Sequence, residues 1–248
     1  MESAHCFHRR LRTRVTDRQV ALIVVVASAY DVRARSVVAH WQSQGAAMLS
    51  AEDMCARGWC LTIPYEPSLA MAVIGGKTVP TSAIAGIVTL RPCFFPEELQ
   101  GLATSQRKYV AAEYNAFLLA WLNALSCPVL NRPTASCLSG PNWQPEQWVQ
   151  LAARLGIPAQ SRRSVPVRTH GSTSGDTVEV ILIGERCFGT EDPTLRCWTL
   201  KLACAAQVEL LSVRFSAEDG RFIAANIWPP LKDPAVLEAA LRRLEARP

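Results

Sequence analysis

The chain has 248 residues, 49% apolar and 19% charged, which gives ample material for a buried core and excludes global disorder. No uninterrupted apolar run reaches the roughly 20 residues needed to span a bilayer. The net charge of +5 is concentrated at the start, where Arg9, Arg10, Arg12, Arg14 and Arg18 against Glu2 and Asp17 leave +3 for the tail and +2 for the rest. That balance is weak support for a nucleic-acid face, so nucleic acid is not an expected partner.

Residues 1–19 read as a basic, solvated tail. Its basic stretch leads into a short β-branched run without a cleavage site, so the expectation is a cytoplasmic protein. Residues 20–27 (VALIVVVA) have the pattern of a strand buried on both faces of a parallel sheet. Residues 31–44, with Val37, Val38 and Trp41 at helical spacing, complete a βα unit. WCLTIP at 59–64 reads as a second short strand. Residues 71–79 read as a hairpin turned on Gly75–Gly76. Residues 84–90 (IAGIVTL) read as another buried strand, and 94–100 as the start of a helical turn.

Residues 107–125 carry apolar side chains near a 3.6-residue period, which predicts a long helix. A short strand at 127–130 is stopped by Asn131, Arg132 and Pro133. A Gly/Pro/Ser-rich link over 134–145 leads to a helix at 146–155, closed by Gly156. Residues 161–176 have no apolar period and read as a connector. Beyond it the spacing predicts a strand at 178–183 with a hairpin partner at 186–188, and a helix at 194–206. Two further strands follow at 209–215 and 221–226, and then an amphipathic helix at 234–246.

The nine cysteines contain no CxxC pair and lie at spacings unlike those of metal sites, so most read as small buried hydrophobes. No metal, catalytic residue or cofactor is assigned. Trp143, Trp148 and Trp228 suit either an interface or half-buried packing. His170 and Asp176 offer raw material for hydrolysis, but they fall in the connector and no nucleophile elbow accompanies them.

Two stretches together carry a family resemblance. AEYNAFLLAWLNALSCPVLNRP followed by EQWVQLAARLGIP resembles the end of the N-terminal domain of ATP-grasp ligases of the RimK/glutathione-synthetase type. VEVILIGERCFG and LACAAQVELLSVRFSAEDGRFIAANIWPPL resemble the hairpin and closing strands of the same family. The resemblance implies an α/β fold with an N-terminal pre-ATP-grasp-like parallel sheet over 20–157. It also implies a smaller C-terminal α+β lobe over 178–248, like the family's C-terminal subdomain.

Between them the family carries a subdomain whose glycine-rich lid and lysines grip the nucleotide. Here that interval, 158–177, is a short linker with three arginines and no lysine. The resemblance puts magnesium carboxylates where this chain has Arg214 and Ala224, and retains only Asn226. Magnesium needs hard oxygen donors. The expectation is therefore a pseudoenzyme that serves as an accessory or binding subunit with a protein partner or as a homodimer, presenting a peptide or protein substrate. The alternative is a carboxylate–amine ligase with a minimised site or one completed by another chain.

Five residues are candidates for ligand or partner binding. Arg91, Asn131 and Arg132 follow buried strands at the carboxyl edge where open α/β sheets bind ligands. They read either as holders of an acidic or phosphorylated group, or as caps of strand ends paired with Glu97, Glu98 or Glu113. Arg214 and Asn226 mark the former metal position. There Arg214 either binds an anion or braces the region through Glu209 or Glu218.

Overall fold

The computed structural model describes residues 21–159 and 177–246. The basic tail and the connector with His170 and Asp176 lie outside the described residues, as does most of the 158–177 linker.

The first sheet is built from four parallel strands in the order β2-β1-β5-β6, namely β1 (Leu22–Val26), β2 (Ala46–Leu49), β5 (Ile84–Thr89) and β6 (Val129–Leu130). β1 is apolar on both faces because both are covered. Val24 and Val26 meet Leu118, Trp121 and Leu122 of α3 (Thr104–Ala124), whereas Ile23 and Val25 meet α1 (Val32–His40) and α6 (Pro234–Glu245). α1 starts where the Asp31 carboxylate accepts from the amides of Arg33 and Ala34 (2.9 and 3.4 Å), satisfying donors a first turn leaves open. The hairpin of β3 (Met71–Ile74) and β4 (Lys77–Pro80) turns on Gly75 and Gly76, both at positive φ (58° and 74°), as a two-residue loop of this kind requires.

The second sheet is antiparallel, in the order β10-β9-β7-β8. Its strands are β7 (Thr177–Ile183), β8 (Arg186–Phe188), β9 (Leu210–Ser216) and β10 (Phe222–Asn226). Side chains alternate across it. Val180, Leu182, Val213, Phe215 and Phe222 pack under α4 (Pro145–Arg154) and α5 (Pro193–Ala206), with Trp148 and Leu202 in the same cluster. Trp143 and Trp148 meet edge to face at 4.8 Å.

The last helix ties the two sheets together. Leu237, Leu241 and Leu244 of α6 share one cluster with Ile23, Val25 and Val88 of the first sheet and with Ile183 and Leu210 of the second. Burying such side chains contributes roughly 1.5–3 kcal/mol each before entropy is charged. Gly86 of β5 lets the helix approach, since a Cβ there would stand 2.4 Å from the Leu244 carbonyl oxygen. By its packing, then, α6 belongs as much to the first sheet as to the lobe that precedes it in the chain.

The mixed α/β architecture with a parallel and an antiparallel sheet agrees with the sequence reading, and four local expectations are corrected. WCLTIP is not a strand: Cys60 makes a single bridge to Met71, and Ile63 is 95% exposed. Trp59 packs instead edge to face on Phe117 and Trp121. The true neighbour of β1 is β2, whose Ala-Ala start has little strand propensity and is fixed by pairing alone. The helix after β1 ends at His40, and a 3-10 turn (Gln42–Gln44) closes it on Gly45 at φ 80°. The cysteines are mostly not buried: among the described ones only Cys137 is, whereas Cys55, Cys60, Cys197 and Cys204 are exposed. No helix among the described residues is long and apolar enough to cross a membrane.

Candidate functional site

Two regions collect the residues singled out by the sequence. They are the carboxyl edge of the first sheet and the face of the second sheet that α4 and α5 leave open.

At the first, Arg91 follows β5 and is buried. Its guanidinium forms a two-pronged pair with Glu98, in which Nη1 donates to Oε1 at 3.1 Å and Nη2 donates to Oε2. Its Nε donates to the Cys93 carbonyl at 2.7 Å, and the group stacks 3.8 Å from the Phe94 ring centre. Burial pushes the Glu98 carboxyl up, but the Arg91 hydrogen bonds, the Phe95 amide and the Arg91 charge together outweigh it and hold Glu98 below its ordinary value.

Asn131 follows β6 and is 1% exposed. Its Oδ1 accepts from the amides of Glu209 and Leu210 (2.9 and 2.8 Å), and its Nδ2 donates to the Leu210 carbonyl at 2.9 Å. Arg132 turns back to the end of α3, donating to the carbonyls of Leu122, Leu125 and Cys127, each at 3.0 Å. All three side chains are thus bonded to groups of the protein itself, Arg91 and Asn131 in its interior and Arg132 at the surface, and Arg91 pairs with the Glu98 named among its possible partners. Ser139 completes the edge, its Oγ donating to the carbonyls of Thr89 and Arg91 (2.9 and 2.7 Å).

On the open face of the second sheet, Arg214 of β9 stands in register between Glu179 of β7 and Ala224 of β10. Asn226 pairs across from Ser212, so it lies diagonal to Arg214. Ser212 Oγ donates to Glu179 Oε1 at 2.7 Å. Asn226 forms a local turn, accepting from the Trp228 amide at 3.0 Å and donating to its carbonyl at 3.2 Å. Of the two alternatives for Arg214, the brace through Glu209 or Glu218 is not seen among the described residues: Glu209 pairs with Arg243 of α6, at 2.6 Å. Glu179 escaped the sequence reading because nothing marks one acidic residue in a strand until its cross-strand neighbours are known. A guanidinium between one carboxylate and an alanine, with the nearest amide turned to the Trp228 backbone, does not fit a divalent cation.

The carboxyl edge also carries a cleft of about 300 Å³ between α1 and the loop after β10, lined by Val32, Leu90, Trp228, Pro229, Pro230 and Leu231. It had no sequence signal beyond Trp228 and its prolines, because Val32 on one wall and Trp228 to Leu231 on the other lie about 200 residues apart in the chain.

No protein-family model matches the chain, and neither does any curated protein. Solved structures do. The macrocyclase MdnC bound with precursor peptide MdnA from Microcystis aeruginosa MRC superposes with a TM-score of 0.64 at 10% identity, over 91% of this chain and 100% of that one. The ATP-grasp ligase PsnB, complexed with a phosphomimetic variant of its minimal precursor, Mg and ADP, gives 0.65 at 14% identity, over 90% and 97%. A RimK domain ATP-grasp protein from Sphaerobacter thermophilus DSM 20745 gives 0.50 at 11%, over 91% and 99%. At such identities the likeness establishes the fold, and that fold is the one of ATP-grasp ligases.

Proposed function

We propose that this chain is a non-catalytic binding subunit on an ATP-grasp fold, which acts with a protein partner or a second copy and presents a peptide or protein substrate to an enzyme. The observation that carries the reading is Arg214, whose positive charge stands between Glu179 and Ala224 where the family resemblance puts acidic metal ligands. Phosphoryl transfer depends on neutralising phosphate charge and on placing the nucleotide. The lysine-free 158–177 interval supports the same reading from a separate part of the chain. In this account 20–157 is the pre-ATP-grasp-like domain, 158–177 a linker in place of the nucleotide-gripping subdomain, and 178–248 the remnant lobe. The peptide part of the proposal draws on MdnC and PsnB, both solved with precursor peptides.

The test is ADP release by the purified chain supplied with Mg–ATP and candidate peptides. The reading expects none above a protein-free blank; sustained release by the chain alone contradicts it. A second reading, a ligase whose site a partner completes, is favoured by the superposition over 97% of PsnB, solved with Mg and ADP. Under it, ADP release appears only when the partner chain is added.

A further inference from the structure

We propose that the cleft between α1 and the loop after β10 seats an apolar side chain of an acidic peptide, with the peptide's carboxylates facing Arg33 and Lys232. This names the ligand class for the binding reading above and rests on it.

The cleft has the composition of a ligand pocket. Its volume of about 300 Å³ lies at the small end of the range for such sites, suited to one anchoring side chain and its backbone. Val32, Leu90, Pro229, Pro230 and Leu231 form apolar walls. Val32 is 67% exposed although apolar and β-branched, so its face of α1 is left without cover. The consecutive prolines have fixed φ and no amide donors, so the wall they form resists collapse and offers no backbone N–H to solvate.

Charge at the rim selects the occupant. Arg33 and Lys232 line the cleft, and both are exposed. Lys232 has no carboxylate partner among the described residues, and Arg33 has one contact, with Asp31 at 3.6 Å. Asp31 also lines the cleft, but its carboxylate is taken up by the first turn of α1. Two cations against one engaged carboxylate leave the mouth positive. Beyond Asp31 and Leu90 the surface continues into a second depression of about 440 Å³, where Phe95, Glu97 and Glu98 reverse the sign. Glu98 is paired with Arg91, and Glu97 is exposed. Acidic residues of a bound peptide are therefore drawn to the Lys232 end and repelled from the Glu97 end.

The experiment uses the full chain and fluorescein-labelled short peptides read by anisotropy. One carries a leucine flanked by glutamates, one has lysines in place of the glutamates, and one has serine in place of the leucine. The first binds most tightly. Its affinity falls about tenfold or more in Lys232→Glu, which reverses the rim charge, and in Ser36→Trp, which fills the cleft from an exposed position of α1. Lys77→Glu, on the distant β4, leaves it unchanged and controls for net charge.

Equal binding of the lysine peptide, or stronger binding of a single-stranded oligonucleotide, overturns the proposal. So does unchanged affinity in both cleft variants, although in that case the binding-subunit reading stands. ADP release by the chain alone overturns that reading instead, while a peptide preference lost in Ser36→Trp still upholds the cleft.

Discussion

Asn131 and Leu210 are joined by both polar atoms of the asparagine side chain. Its Oδ1 accepts from the Leu210 amide and its Nδ2 donates to the Leu210 carbonyl, at 2.8 and 2.9 Å. The Glu209 amide adds a third bond at 2.9 Å. One buried side chain thereby ties the end of the first sheet to the start of β9, across 79 positions of sequence.

Replacing Asn131 with alanine removes all three bonds and leaves buried backbone groups without partners. At about 0.5–1.5 kcal/mol per bond, the expected loss is about 2–4 kcal/mol of unfolding free energy, measured by denaturant titration. A ligand-contact role would instead leave stability within about 0.5 kcal/mol of the wild type.

The Arg91–Glu98 pair gives a prediction in pH. Glu98 is held below its ordinary value of 4.5, so its contribution is fully present above that value and is lost as pH falls through the lower, folded-state value. Glu98→Gln should therefore be less stable than the wild type at neutral pH, and the gap should close in acid. Arg91→Ala leaves the part-buried Glu98 carboxylate unpaired and should cost less than the about 3–5 kcal/mol of a fully buried pair at neutral pH. A gap between wild type and Glu98→Gln that widens on acidification would contradict the assignment.

Gly86 measures the docking of α6. A methyl there meets the Leu244 carbonyl oxygen at 2.4 Å and the Leu244 Cβ at 2.7 Å, and backbone cannot step aside as a flexible side chain can. Gly86→Ala should lower stability by about 1–3 kcal/mol in thermal unfolding. Unaltered stability would mean that the helix does not lie on β5.

Much of the fold was legible in the sequence because its signals were local. VALIVVVA could only be a strand covered on both faces, the Gly75–Gly76 pair fixed a hairpin, and the apolar period of α3 fixed its length to within a turn. β2 was not legible, since Ala46 and Ala47 owe their strand to β1 beside them. Trp59 misled for the converse reason: a large apolar side chain pairs just as well with the Trp121 and Phe117 rings from a loop.

The site was less legible than the fold. Strand-end position brought Arg91, Asn131 and Arg132 forward, but whether such a residue faces a ligand or its own backbone depends on what packs above it. Asn131 meets β9, and Arg132 meets the end of α3. The cleft went unseen because Val32 and Leu231 come from opposite ends of the chain.

The central claim concerns the nucleotide, and Mg–ATP titration by isothermal calorimetry tests it most directly. With Arg214 between Glu179 and Ala224, the account predicts no saturable heat of binding up to millimolar nucleotide. Saturable binding at micromolar Mg–ATP, abolished when the magnesium is chelated, would contradict it.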